Sequence, residues 1–325
     1  MPLRHPWLPR HHAGTQTLTT MAEQPLQWGA EALWQQLEPL LPGLSVEVVH
    51  STISTNTALL DRARVVQESE LEAGNVQVRR SVESGAFGRR AVDVQPCLLV
   101  AEHQSGGRGR QGRAWQSTQG ASLTFSISLP LASSDWSGLS LAVGVALADA
   151  LDATPATPTG ARIGLKWPND LWLVGDGHEG RKLGGVLIET VAAGPQRLVV
   201  IGVGLNILAF SADDFSSGFA SLHELDPSCT APGVLAQLMM PLVLALKRFE
   251  AEGFAAFAAG FAARDLLRGR AVRTTQADAI DGVAQGVSDH GELLVQTDAG
   301  LKRVSSGEVS VRLRGTSAQA PLGLR

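Results

Sequence analysis

The sequence is poor in charge, in cysteine and in long apolar runs. Charged residues make up 18% of the 325, below the roughly 25% of an average soluble domain. Its 27 basic side chains face 31 acidic ones, for a formal net charge of −4, so bulk electrostatics do not advertise nucleic acid as a partner. Cys97 and Cys229 stand far apart with no Cys-x-x-Cys spacing. That argues against a disulfide framework, fits a reducing, cytoplasmic compartment, and leaves both as small buried apolar side chains. No apolar stretch approaches the roughly 18 residues of a membrane span, and Pro241 interrupts the run from Leu238 to Leu246. Residues 1–24 carry Arg4, Arg10 and His11-His12 without the apolar core of a secretory signal, and read as a disordered leader with Met21 as an alternative start. A hydrophobic content of 44% is nevertheless enough to bury a sizeable core, spread over two or three domains.

Trp28, Leu33, Trp34, Leu37, Leu40 and Leu41 recur at helical spacing until Pro39 and Pro42-Gly43, predicting an amphipathic helix over 28–41. Ser45 to His50 predicts a strand, after which Ser54-Thr55-Asn56 offers N-cap chemistry for a helix through Ala58, Leu59, Leu60 and Ala63. Residues 65–96 mix charge, Gly and Ser with little period and read as a solvated insertion. Cys97 to Ala101 predicts a strand, a Gly/Arg loop follows, and Leu123, Phe125, Ile127 and Leu129 alternate with Ser122, Thr124, Ser126 and Ser128 as a half-buried strand. Further on, a helix is expected over 137–151, strands over 165–174, 185–191 and 197–207, and a helical period from Val234 to Phe261. From Gly269 onward, β-type runs at 271–274, 282–287, 293–296 and 309–313 predict a small all-β domain.

The densest constellation is the stretch from Glu102 to Trp115, with four glycines, three arginines and an indole. Glycine lets backbone N–H groups approach an anion, and guanidinium forks bind carboxylate or phosphate at two points. Gly107, Gly109 and Gly112 satisfy Gly-x-Gly-x-x-Gly, but a strand rather than a helix follows, so the dinucleotide reading fails. A kinase reading fails too, because neither Asp-Phe-Gly nor His-Arg-Asp occurs. The loop alone divides evenly between an anion site and either an RNA-binding or an idle solvated arginine loop. Lys166-Trp167-Pro168-Asn169-Asp170 places a cation, an indole, an amide and a carboxylate at a turn. Gly180 to Gly185 repeats the cation-and-glycine theme without completing a P-loop, since Arg181 stands where Lys is required. Gly202-Val203-Gly204-Leu205-Asn206 ends a buried strand in glycines and an amide. His103, His178, His223 and His290 show no metal-ligand spacing, and Gly-x-Ser-x-Gly is absent. What is left suits positioning and charge stabilisation without a protein nucleophile.

Taken in order, Ser54-Thr55-Asn56, Gly107 to Trp115, Lys166 to Asp170, Arg181 to Gly185 and Gly202 to Asn206 resemble the motifs of biotin protein ligases over about residues 45–313. The resemblance implies an α+β fold with a mixed sheet flanked by helices (25–268), a C-terminal SH3-like barrel (269–315) and a disordered tail (316–325). It implies ATP-dependent activation of biotin to biotinyl-5′-AMP, then transfer to a lysine of a biotin carboxyl carrier protein. Bringing a carboxylate to an α-phosphate opposes two charges by about 4 kcal/mol at 4 Å in an effective dielectric near 20, which calls for clustered cations.

By the same resemblance, Ser54, Thr55, Asn56 and Gln104 bind the biotin head group. Gly107, Arg108, Gly109, Arg110 and Gly185 lie along the carboxylate and phosphate, and Lys182 and Arg110 are catalytic. Trp115, Lys166, Asn169, Asp170 and Asn206 face the nucleotide. Mg²⁺ is expected on the ATP oxygens with no dedicated protein site, and the arginine loop is expected to order over the adenylate. The single helix expected before Ser54 makes the resemblance one to monofunctional members, without DNA binding; a homodimer is compatible with it. The rival readings are a lipoate ligase of the same fold and a nucleic-acid binder using the arginine loop.

Overall fold

The computed structural model describes residues 26–72, 94–132, 135–152, 162–175, 180–193, 196–209, 218–275, 279–305 and 311–313. The expected leader, residues 73–93 of the 65–96 insertion and the expected tail lie outside them. In chain order the first elements are helix α1 (Ala30–Leu37), strand β1 (Ser45–Thr52), helix α2 (Thr55–Glu72), and strands β2 (Cys97–Gln104), β3 (Gly107–Arg108), β4 (Ala114–Trp115) and β5 (Ser122–Pro130). Helix α3 (Leu139–Leu151) precedes β6 (Ile163–Lys166), β7 (Asp170–Leu173), β8 (Arg181–Ala193) and β9 (Gln196–Asn206). Helices α4 (Ala231–Glu252) and α5 (Ala258–Arg264) lead to β10 (Ala271–Thr274), β11 (Asp281–Val287), β12 (Leu293–Thr297), β13 (Gly300–Val304) and β14 (Val311–Leu313).

The main sheet runs β1-β2-β5-β9-β8-β7-β6, with β1 and β2 parallel and the other neighbours antiparallel. The continuous apolar run of β2 follows from cover on both faces. Leu98 and Val100 join Leu123, Phe125 and Ile127 in the core beneath α1, α3 and α4. Cys97, Leu99 and Ala101 face the other way, onto Leu59, Leu60 and Ala63 of α2. The mixed sheet flanked by helices is therefore as expected.

Several local expectations are corrected. The strand over 122–129 is central and wholly buried rather than half-buried: Ser122, Thr124, Ser126 and Ser128 are each at most 3% exposed. The stretch 165–174 is a hairpin, β6 and β7, because Pro168 lacks the N–H a strand ladder needs and the chain reverses across Trp167-Pro168-Asn169. The helical period from Val234 to Phe261 is broken at Gly253, whose φ of 68° ends α4 before a 3-10 turn and α5. Helix α2 runs on to Glu72, into the region read as insertion; Gln67, Glu68, Glu70 and Leu71 favour helix by propensity even without an apolar period. The C-terminal strands pair in the order β13-β12-β11-β10-β14. They form a five-stranded antiparallel sheet around Val272, Ala284, Leu293, Val295 and Val304, and β13 and β14 do not pair with each other among the described residues, so no closed barrel forms there.

Candidate active site

One end of the main sheet opens into a cavity of about 990 Å³, at the upper end for small-ligand sites. Every residue expected at the site lines it except Gly107. Gly107 instead pairs with Trp115 across the β3–β4 hairpin, where a Cβ would meet the Trp115 carbonyl at 2.4 Å. Five segments distant in sequence thus converge.

The β1–α2 junction forms one wall. Ser54 caps α2, its Oγ accepting from Thr57 N–H at 3.4 Å. Thr55 N–H donates to Gln104 Oε1 at 2.7 Å, so the end of β2 is tied to the start of α2. Ser126 Oγ lies 2.6 Å from both Thr55 Oγ1 and Asn56 Oδ1. Asn56 Nδ2 donates to the Leu187 carbonyl at 3.1 Å and to Glu189 Oε2 at 2.9 Å. Gly202 makes room for this amide, since a Cβ there would stand 2.3 Å from Asn56 Oδ1.

The cations are already partnered. Arg108 Nη2 donates to Glu189 Oε2 at 2.8 Å, and Lys182 Nζ to Asp170 Oδ1 at 2.8 Å. Burial lowers the pKa of the Arg110 guanidinium below its ordinary value, and the negative Asp170 works against that shift. A cation held in such a site is poorly screened, which strengthens its pull on an incoming anion. Arg181 also lines the cavity and braces its wall. Its Nη1 donates to the Phe219 carbonyl at 2.8 Å, and it pairs with Glu224 and holds that carboxyl below the usual range.

On the far side, Asn169 Nδ2 donates to the Val186 carbonyl at 2.8 Å, and Asn206 Nδ2 to the Ala220 carbonyl at 3.0 Å. Lys166 Nζ sits 4.2 Å over the Trp172 ring, a cation–π contact. Trp115 rests on the bare backbone of Gly204, where a Cβ would meet its ring at 2.5 Å, and its buried Nε1 has no partner. Arg108, Arg110, Lys166 and Lys182, with Asp170 interleaved, line the cavity and suit it to an anionic ligand.

Sequence reasoning missed Ser126, Glu189 and Trp172; it singled out Gly202 and Gly204 within their motif but not the room they make for Asn56 and Trp115. A signal existed for Ser126: four hydroxyl residues on one face of β5, with no charge among them, suit a buried polar wall better than a solvated one. Glu189 carries no such signal.

Residues 93–206 match the biotin/lipoate A/B protein ligase family, and residues 268–312 match the biotin protein ligase C terminal domain. The chain is 33% identical over 263 residues to the bifunctional ligase/repressor BirA of Salmonella typhimurium, covering 78% of this chain and 79% of that protein. It is 32% identical over 294 residues to the biotin--[acetyl-CoA-carboxylase] ligase of Mycobacterium tuberculosis, with 88% and 92% covered. Biotin protein ligase from Aquifex aeolicus, solved in complex with biotin and ATP, aligns with a TM-score of 0.62 at 25% identity, covering 83% of this chain and 99% of that one. The chain belongs to the biotin protein ligase family.

Proposed function

We propose the following division of labour among this chain's residues. The activity is ATP-dependent ligation of biotin to protein. In the first step a biotin carboxylate oxygen attacks the α-phosphorus of ATP, the bond to the β-phosphate oxygen breaks, and pyrophosphate leaves. In the second a lysine amine of the carrier attacks the acyl carbon, AMP leaves and the amine sheds a proton. Ser54, Thr55, Asn56 and Gln104 bind the fused-ring head group. Arg108, Gly109 and Arg110, with the bare backbone of Gly185, flank the carboxylate and α-phosphate, and Gly107 keeps the hairpin close. Lys182 stabilises the charge that develops at phosphorus. Trp115 covers the adenine, and Lys166, Asn169, Asp170 and Asn206 face the nucleotide.

The observation that carries this reading is the convergence of all five motif segments on one cavity. Asp170 is the single carboxylate lining the cavity among the described residues, and no cluster of three metal-binding side chains occurs among them. The donor set thus fits a Mg²⁺ ion held mainly by phosphate oxygens and water, beside Asp170 and the amides of Asn169 and Asn206. Bound there, Mg²⁺ would neutralise phosphate charge.

The protein partner is a biotin carboxyl carrier, which brings the second nucleophile; no operator-DNA role is proposed. The loop between Ser105 and Gln116 orders over the adenylate and shields it from water. A homodimer through a sheet edge is compatible with this reading: from Ile188 to Ala193, β8 pairs with no strand but β9 among the described residues. The chain divides into a catalytic domain over 25–268 and a C-terminal domain over 269–315. No helix among the described residues is long and apolar enough to cross a membrane, and we place the enzyme in the cytoplasm.

The test is incorporation of labelled biotin into an apo carrier domain with ATP. Lys182→Ala should slow adenylate formation by about 10²–10³-fold while leaving the circular dichroism spectrum unchanged. Equal rates would remove Lys182 from the mechanism, and turnover of lipoate in place of biotin would move the chain to the neighbouring specificity.

A further inference from the structure

Glu189 belongs to none of the motifs, yet its carboxylate joins two parts of the site. It lies on β8 two residues beyond Leu187 and so shares that residue's face of the sheet. Its side chain is 26% exposed. Oε2 accepts from Asn56 Nδ2 at 2.9 Å, and Arg108 Nη2 donates to Oε2 at 2.8 Å and to Oε1 at 3.1 Å. One end of the contact is the head-group wall and the other is the arginine loop.

The Asn56 amide has two N–H donors and one carbonyl. Both donors are taken at the back of the pocket, by the Leu187 carbonyl and Glu189. Oδ1 meets Ser126 Oγ and keeps a lone pair in reserve. An inverted amide would bring Oδ1 against the Glu189 carboxylate and the Leu187 carbonyl, acceptor on acceptor, so the acceptor oxygen at position 189, together with the Leu187 carbonyl, decides which end faces the ligand. A cyclic urea presents N–H donors, and an acceptor is what they need. Arg108 is half-exposed, and Glu189 is the anion that holds it; a ligand carboxylate or phosphate must take the guanidinium from that partner.

We propose that Glu189 is a positioning residue: it turns the Asn56 amide oxygen toward the urea N–H of biotin, and it holds Arg108 until the ligand's carboxylate or α-phosphate replaces it. The inference rests on the ligase reading above.

The experiment is calorimetry on the full chain with biotin and with biotinol, which keeps the rings but replaces the carboxylate by an uncharged alcohol. Glu189→Gln can still accept from Asn56 but cannot pair with Arg108. It should bind biotinol within about twofold of wild type and bind biotin several-fold more tightly, raising the biotin-to-biotinol affinity ratio. Glu189→Ala should weaken biotinol about tenfold, and its KM for biotin should rise with kcat nearly kept. An unchanged affinity ratio in Glu189→Gln, or wild-type biotinol binding by Glu189→Ala, overturns the proposal. Glu189→Gln is nearly isosteric, so its result stands even where the alanine variant unfolds. A wild-type chain that binds neither compound would instead refute the ligase reading on which this one rests.

Discussion

Arg181-Lys182-Leu183-Gly184-Gly185 and the loop from Gly107 to Gly112 have nearly the same composition, and the fold treats them in opposite ways. The first begins β8: Arg181, Lys182, Gly184 and Gly185 pair with β7, Gly184 and Gly185 pair with β9 as well, and Lys182 bridges to Phe219 on its other side. Its glycines remove bulk: a Cβ on Gly184 would stand 2.4 Å from the Gly204 carbonyl oxygen. The second is a loop closed by a two-residue hairpin and the Gly109 N–H to Arg113 carbonyl bond of 2.7 Å. Gly112 there has a φ of 71° with open space around it, and Gln111 has a φ of 57°. Lys182 is thus carried on rigid backbone, whereas Arg108 takes its place from a side-chain partner, Glu189. A site that must hold a reactive intermediate and later release it has use for both.

The contrast can be broken most directly at the glycines. Gly184→Ala must push apart two paired strands and should cost about 2–3 kcal/mol, whereas Gly112→Ala meets only the left-handed backbone and should cost about 1 kcal/mol. Urea unfolding of both variants decides it, and equal losses would mean the two segments are equally constrained. On the loop side, Arg110→Gly should release the activated intermediate and label bystander lysines, read by avidin blot of a mixture of carrier and indifferent protein. Labelling confined to the carrier would remove the retention role of the loop.

A smaller effect sharpens the rigid side. Asp265 bridges to Leu165 of β6, and burial raises its carboxyl above the usual range, against the N–H groups of Leu267 and Arg268. The folded state then binds the proton more tightly than the unfolded chain. The stability Asp265 contributes is present below the unfolded value, near 3.9, and is lost as pH rises through the folded one. Asp265→Asn should abolish that decline, so the melting temperature of the variant should gain on wild type as pH rises across this window. Parallel curves would show that Asp265 does not titrate differently on folding.

Much of this site was legible because its chemistry sits in short, glycine-rich strings whose residue types have few other uses. Ser54-Thr55-Asn56 is legible twice, as an N-cap and as a polar wall. The α+β order was legible from apolar period, since β2 and the β-branched, glycine-punctuated β9 carry continuous apolar runs that suit covered strands. Less was legible where tertiary context reverses a local signal. Ser122 to Ser128 alternates as a solvated strand would, yet α2 and the cavity wall cover its hydroxyl face. Gln67 to Leu71 lacks an apolar stripe and is helical nonetheless. Glu189 looks like any polar residue in an edge-proximal strand, and only the register of β8 beneath α2 gives it two partners.

Trp167, at the turn that carries Asn169 and Asp170, is 1% exposed and donates its indole N–H to the Gly291 carbonyl at 3.0 Å. That carbonyl belongs to the connection between β11 and β12. Cleaving away the terminal sheet would therefore leave an orphaned donor in an apolar wall of the cavity. The terminal sheet acts as a keystone for a pocket that none of its described residues lines.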